Sequence, residues 1–313
     1  MRVLVIYFSG CGYTAWAAQK VADILAKQGN DVAGVLDIEH YAPAEQEQSE
    51  RHIFLTPTYF FSPPALLVKA LHKIPMVADK EAVVIATNAA QQGATTLYTS
   101  HLLKARGYKV FGTADLILPD TFLATQQTPE ERLARLKKAE DSLQSLCKKI
   151  VGKESFSCDR NRAYGIISVF VLSIFRRVWG LTLISTKNCS HCGMCEHICP
   201  MHNIRMQGGR PVFGANCTGC FRCVNRCPAK AIDMAAVNWV LGLCGSVIGL
   251  AVSRWIFMWM FGSFFGTLLS LIGAAYGFIG GAFIGQKIYR KIAQVTFFSK
   301  KERVPCDYLK KGF

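Results

Sequence analysis

Residues 189–228 read CSHCGMCEHICPMHNIRMQGGRPVFGANCTGCFRCVNRCP. In this stretch Cys189, Cys192, Cys195 and Cys199-Pro200 spell C-x2-C-x2-C-x3-C-P. Cys217, Cys220, Cys223 and Cys227-Pro228 spell it again 28 positions later. Gaps of two residues let three consecutive thiolates line one concave loop, so a fourth ligand must come from elsewhere. A [4Fe–4S] cube has four irons, each taking one thiolate, and this run is a known way of supplying them. Zinc sites use two C-x2-C pairs set well apart, and a disulfide framework calls for no such triplets. Neither suits a three-cysteine run with a distant Cys-Pro, repeated. The proline after each fourth cysteine stops a helix and turns the chain.

Over 186–234 the chain resembles the bacterial-type dicluster ferredoxin, and all eight ligand positions match. The resemblance implies a crossed ligand set, because in such proteins the fourth cysteine of each run ligates the other cluster. Cys189, Cys192, Cys195 and Cys227 are then expected to hold one cluster, and Cys217, Cys220, Cys223 and Cys199 the other. His191, His197 and His202 stand in or near the first run, where that family usually carries apolar or small residues. They could tune the first cluster by hydrogen bonding or charge, or be plain solvated side chains.

Working back to the start, Val3–Phe8 is an unbroken apolar run, the pattern of a strand buried on both faces. Ser9-Gly10-Cys11-Gly12-Tyr13-Thr14 follows, then a helix over Ala15–Lys27 closed by Gly29. Strand, glycine-and-hydroxyl loop, helix is an arrangement that cradles a phosphate with backbone N–H groups. It is neither a Walker loop nor the G-x-G-x-x-G fingerprint. Strands are predicted at Asp31–Ile38, His52–Thr56, Ala82–Thr87 and Lys109–Leu118. Helices are predicted at Ala65–Leu71, Thr95–Arg106 and Glu130–Val151, the last with Leu133, Leu136, Leu143, Leu146 and Ile150 on one side. Such alternation predicts a five-stranded, doubly wound parallel sheet with ligands at the carboxyl ends of the strands.

These residues look like a flavodoxin. The phosphate loop of that family, S/T-x-T-G-x-T, is here Ser9-x-Cys11-Gly12-x-Thr14, with Cys11 for the usual Thr and Tyr13 for the usual Asn. The resemblance implies FMN, held at Ser9, Cys11, Gly12, Tyr13 and Thr14. A second flavin loop would use Thr58, Tyr59 and Phe60, and a third Asn88, Gln91 and Gly93. The order of the two halves, and Leu118-Pro119-Asp120-Thr121-Phe122, resemble the flavodoxin–ferredoxin fusion proteins.

The domain organisation expected is a flavodoxin-like FMN domain at 1–152, a linker and joining helix at 153–185, and a small α+β dicluster ferredoxin domain at 186–235. A C-terminal transmembrane helical hairpin at 236–286 and a basic cytoplasmic tail at 287–313 complete it. In the joint, Ala163–Phe175 and Val178–Ile184 are apolar around Arg176-Arg177, either packed between domains or lying in the membrane interface. Val237–Ser253 and Trp255–Gly285 carry no charge, interrupted only by Arg254. Spans are expected at 236–253 and 263–285 with a turn from Arg254 to Gly262, and Trp239, Trp255 and Trp259 near the interfaces. Gly273, Gly277, Gly281 and Gly285 form a stripe on which another helix can approach, and Gly245 and Gly249 a shorter one.

The formal net charge is +15 and 51% of residues are hydrophobic. A basic tail beside apolar spans points to anionic lipid rather than nucleic acid. The positive-inside rule places that tail, and with it the redox domains, on the cytoplasmic side of the cell membrane. The start of the chain lacks the layout of a secretory signal. Thiolate ligation also favours a reducing, low-oxygen setting.

The function expected is membrane-anchored electron transfer between FMN, two [4Fe–4S] clusters and a partner oxidoreductase. The alternative is a flavin-dependent reductase with its own substrate, such as a quinone or lipid. A redox sensor is a third reading with no specific support. No Ser-His-Asp set, metal triad or general-base pair stands out to define a substrate chemistry.

Overall fold

The computed structural model describes residues 1–40, 49–78, 80–122, 127–158, 179–235, 240–256, 270, 272–274, 276–281 and 284. The predicted joining segment, 163–178 in particular, the tail at 287–313, Gly285, Trp239 and Trp259 lie outside them. The described chain forms two compact units. The first holds residues 1–158 together with Cys220–Asn225; the second holds 179–219 and 226–284.

The first unit is a five-stranded parallel sheet. Its strands are β1 (Arg2–Tyr7), β2 (Asp31–Asp37), β3 (Arg51–Pro57), β4 (Glu81–Asn88) and β5 (Lys109–Ile117), in the order β2-β1-β3-β4-β5. This is the flavodoxin-like order, with its topological switch between β1 and β3. Every residue of β3, the central strand, is buried, its polar Arg51, His52 and Thr56 included; the continuous apolar run expected of a strand buried on both faces is that of β1. The connecting helices are α1 (Tyr13–Lys27), α2 (Ala65–Lys73), α3 (Thr95–Lys104) and α4 (Pro129–Val151). α1 packs with α4, and α2 with α3. Leu4, Ile6, Phe8, Phe54, Leu67 and Leu103 form the centre of one core.

α4 begins with a capping box: the Thr128 hydroxyl accepts from the Glu131 N–H, and the Glu131 carboxylate accepts from the Thr128 N–H. Its buried stripe is Leu136, Ala139, Leu143, Cys147 and Ile150. Leu133 is not part of it. That side chain is 57% exposed, because the stripe begins one turn later.

The second unit contains two small antiparallel pairs, β6 (Leu183–Ser185) with β9 (Ile232–Met234) and β7 (Ile204–Gln207) with β8 (Arg210–Phe213). Gly208 and Gly209 both take positive φ (56° and 76°), as a two-residue hairpin turn of this twist demands. Farther on, residues 240–256 are helical, and so are the described residues between 270 and 284. Helix therefore continues through Arg254, Trp255 and Ile256, where a turn was expected; one charged residue at a helix end does not break it.

The two stretches meet through glycine. A Cβ on Gly245 would fall 2.1 Å from the Gly277 carbonyl oxygen, and one on Gly249 2.1 Å from that of Gly273. Ser253 Oγ donates to the Gly249 carbonyl and lies 3.1 Å from the Ser270 carbonyl. Val240, Val247, Ile248, Trp255 and Tyr276 are exposed on the pair. Among the described residues no helix is long and apolar enough to cross a membrane, so the two expected spans are not met there.

Candidate functional site

Three loops gather at the carboxyl ends of β1, β3 and β4. In the first, Ser9 Oγ accepts from the Gly12 N–H at 3.0 Å. Gly12 takes φ 98°, a left-handed value natural to glycine, and α1 starts there with no side-chain cap. The first turn of such a helix presents N–H groups and a positive dipole to an anion. Thr14 Oγ1 lies 2.7 Å from Thr87 Oγ1 at the end of β4, both buried.

The second loop is a tight turn, with Tyr59 N donating to Ser62 O (3.0 Å) and Ser62 N to Tyr59 O (3.3 Å). Phe60 and Phe61 both adopt left-handed φ, 52° and 58°. Non-glycine residues hold such values only where the surroundings impose them. Thr58 Oγ1 donates to Thr95 Oγ1 at 2.9 Å.

The third loop is fastened to the second. Ala94 N donates to Phe61 O at 2.9 Å, and a Cβ on Gly93 would overlap the Phe61 backbone. Asn88 Nδ2 donates to the Asp115 carboxylate, while Asn88 Oδ1 is buried with no partner among the described residues. Burial raises the Asp115 carboxyl above the ordinary carboxylate range, partly opposed by the Asn88 bond. Gln91 is exposed. Its neighbour Gln92 is the anchoring amide, accepting from Thr96 Oγ1 at 2.6 Å and reaching Cys158 Sγ at 3.0 Å.

Sequence reasoning missed what surrounds the first loop. Cys220–Asn225 belongs to the same compact unit. Arg222 Nη2 donates to the Ser9 carbonyl at 2.7 Å, and Nε to the Gly10 carbonyl at 3.1 Å. Its Nη1 bonds Glu39 Oε2 at 3.0 Å, and Nη2 bonds the other oxygen of the same carboxylate. The guanidinium also lies over the Phe8 ring, 5.7 Å from its centroid. Burial alone would lower the Arg222 pKa, yet the bonds to Glu39 carry it above the usual arginine range. Asn225 Nδ2 donates to Thr121 O at 3.1 Å, and Phe221 meets Phe122 edge-on at 5.3 Å.

Cys11 is turned to this segment too. Its thiol donates to the Cys220 carbonyl at 3.4 Å and lies 3.4 Å from Asn225 Nδ2. The side chain expected at a cofactor thus faces the cysteine run. Gly10 tolerates no side chain, since a Cβ would sit 2.3 Å from the Tyr59 hydroxyl and 2.8 Å from Cys220 O. Burial, then the neighbouring Cys220 and Cys11, hold that hydroxyl well above the ordinary tyrosine range, with Arg222 and the Gly10 backbone opposing.

The two cysteine runs repeat in backbone as well as in sequence. Positive φ recurs at a spacing of 28: His191 and Gly219, Gly193 and Phe221, His202 and Lys230. The helical turns Met194–His197 and Arg222–Asn225 keep the same spacing. So do the sulfur bonds: Asn203 N donates to Cys199 Sγ (3.3 Å) and Ala231 N to Cys227 Sγ (3.2 Å). Such N–H···S bonds stabilise thiolate ligands.

Burial, then the fields of Cys227 and Cys189, push the Cys195 thiol up to about 11. Cys192 is exposed, and its thiol is lowered by the Met194 N–H and by Ser190. No two cysteines among the described residues form a disulfide. Among the described residues no three His, Cys, Asp or Glu side chains converge on one ion; a cube spreads its four thiolates over four irons. His191 Nδ1 bonds the Gly209 carbonyl, which ties the first run to the β7–β8 turn.

Residues 181–238 match the family described as 4Fe-4S dicluster domain. This segment takes two [4Fe–4S] clusters, and the donor set fits them. No curated protein matches the chain. Among solved structures, a flavodoxin from the domain Archaea is 14% identical, covering 48% of this chain and 99% of that one, with a TM-score of 0.35. Flavodoxin 2 from Bacillus cereus is 17% identical over 49% and 99%, with a TM-score of 0.38. Rubredoxin oxygen:oxidoreductase from Desulfovibrio gigas is 16% identical over 49% and 36%, with a TM-score of 0.36. The strand order, not these likenesses, defines the first unit as flavodoxin-like.

Proposed function

We propose that this protein is an electron-transfer flavoprotein that moves electrons between FMN and two [4Fe–4S] clusters, and from there to or from a partner oxidoreductase. The observation that carries the reading is the place of Cys220–Asn225, a piece of the second cysteine run folded into the unit that bears the three loops. The loop residues fit FMN. An uncapped helix start at Gly12 suits a phosphate, and the partnerless Asn88 Oδ1 suits a ring N–H. FMN, once bound, would exchange electrons singly or in pairs, while the clusters carry one at a time. The chain's part is positional. Ser9 and Gly12 shape the phosphate loop, the Tyr59–Ser62 turn and Gly93 fix the walls, and the N–H groups of Asn203 and Ala231 steady ligand sulfurs.

We further propose that 236–286 lies in the cytoplasmic membrane, with the redox units and the basic tail on the cytoplasmic side. Supporting this are the two uncharged stretches, the glycine contacts between Gly245 and Gly277, and the exposed apolar residues of 240–256. The expected content after anaerobic purification in detergent is about eight irons, eight sulfides and one flavin per chain. A chain without flavin refutes the reading. Recovery of the protein in the aqueous phase of a cloud-point detergent extraction refutes the anchor.

A further inference from the structure

Resting on the reading of the chain as an electron-transfer flavoprotein, the internal repeat lets the two cysteine runs be compared position by position. At three places they differ in one direction. Where the first run has Gly193, Met194 and His197, the second has Phe221, Arg222 and Asn225. Met194 and His197 are exposed. Their counterparts are engaged: Phe221 on Phe122, Arg222 on Glu39 and the Ser9 and Gly10 carbonyls, Asn225 on Thr121 O. Phe221 even keeps the left-handed φ that Gly193 holds without strain. The ligand segment between Cys220 and Cys223 is thus specialised for contact with the phosphate loop, and the equivalent segment of the first run is not.

We infer that Arg222 is a positioning residue that makes the cluster ligated by Cys217, Cys220 and Cys223 the one in direct electron exchange with the flavin. The cluster of the first run exchanges electrons with an external one-electron carrier, for which Cys192 is exposed. In each exchange one reduced cluster loses one electron and the flavin gains it. Two such transfers, with two protons from solvent, convert FMN to FMNH2; the reverse sequence returns two electrons one by one. Arg222 acts by clamping two loop carbonyls and the Glu39 carboxylate together, which fixes the Cys220 backbone against Cys11 and Gly10. Electron tunnelling falls steeply with distance, so a loosened clamp slows transfer without changing either cofactor.

The test uses the full chain in detergent with both clusters and flavin loaded. Iron, sulfide and flavin contents are measured first, since these report the underlying reading. The clusters are then reduced by a pulse of photoexcited deazaflavin and the arrival of electrons at the flavin is followed optically. Arg222→Met, which installs the first run's residue, is expected to slow that arrival at least ten-fold. The low-temperature resonance of the first cluster should stay as it is, and Met194→Ala should leave the rate unchanged. Should Arg222→Met shed flavin, Glu39→Gln carries the same expectation at roughly three-fold. An unchanged rate in loaded Arg222→Met, or a slowing by Met194→Ala equal to it, overturns the inference.

Discussion

Thr14 and Thr87 are 73 positions apart in sequence and share one buried hydrogen bond, Oγ1 to Oγ1, at 2.7 Å. It joins the start of α1 to the end of β4, so the phosphate loop and the third loop are held by a common pin. Thr87→Val would leave the Thr14 hydroxyl buried without this partner, at a cost of about 1–3 kcal/mol. We expect a lower midpoint in anaerobic chemical denaturation and weaker flavin retention on dilution. An unchanged midpoint would show that the pin contributes nothing.

Gly10 is expected to be intolerant of alanine. The added methyl would meet the Tyr59 hydroxyl and Cys220 O together, and overpacking of this kind costs roughly 1–3 kcal/mol. Adding Tyr59→Phe should relieve only part of the loss, because the carbonyl of Cys220 remains. Full rescue by Tyr59→Phe would mean that Cys220 is not the obstacle.

Crossed ligation predicts that Cys227→Ser damages the cluster of Cys189, Cys192 and Cys195. The resonance of the other cluster should persist, with about four of the eight irons retained. Loss of the second run's signal instead would reverse the assignment.

Asp115 gives a pH dependence. Its folded-state pKa is raised, first by burial, so the fold disfavours the ionised form. A carboxyl raised in the fold lowers stability as pH climbs from its unfolded value, ~3.9, through the folded one. Asp115→Asn keeps an acceptor for Asn88 and removes the charge. Thermal unfolding should show the variant more stable than the parent at pH 7, by a margin no smaller than at pH 5. A variant less stable at pH 7 would argue that the charge is put to use.

Much of the fold was legible because buried parallel strands are apolar runs and the chain punctuates them with glycine and polar loops. All five strands of the sheet lie within two residues of their expected ends. The cysteine spacing was equally plain, since cluster ligation is written locally. What stayed hidden is long-range. Arg222 and Glu39 are 183 positions apart, and in sequence Arg222 is one more basic residue in a basic chain. Aligning the two runs at their repeat would have flagged it, since Met194 stands opposite. Cys11 reads as a lost hydroxyl next to a phosphate, and only the fold shows its sulfur facing Cys220 and Asn225. Leu133 fits the helical period but falls ahead of the region where α4 is covered.

Folding Cys220–Asn225 into the first unit also bears on how the protein can be made and cut. During synthesis the sheet is complete by Ile117, yet Glu39 waits for Arg222 until another hundred or so residues have left the ribosome. Separate expression of residues 1–158 would strip the Ser9 and Gly10 carbonyls of their guanidinium and bare the Phe122 ring. The two redox halves look like modules that could be exchanged among proteins, but they are stitched by a six-residue loan from one to the other. Recombination at the apparent border would sever it.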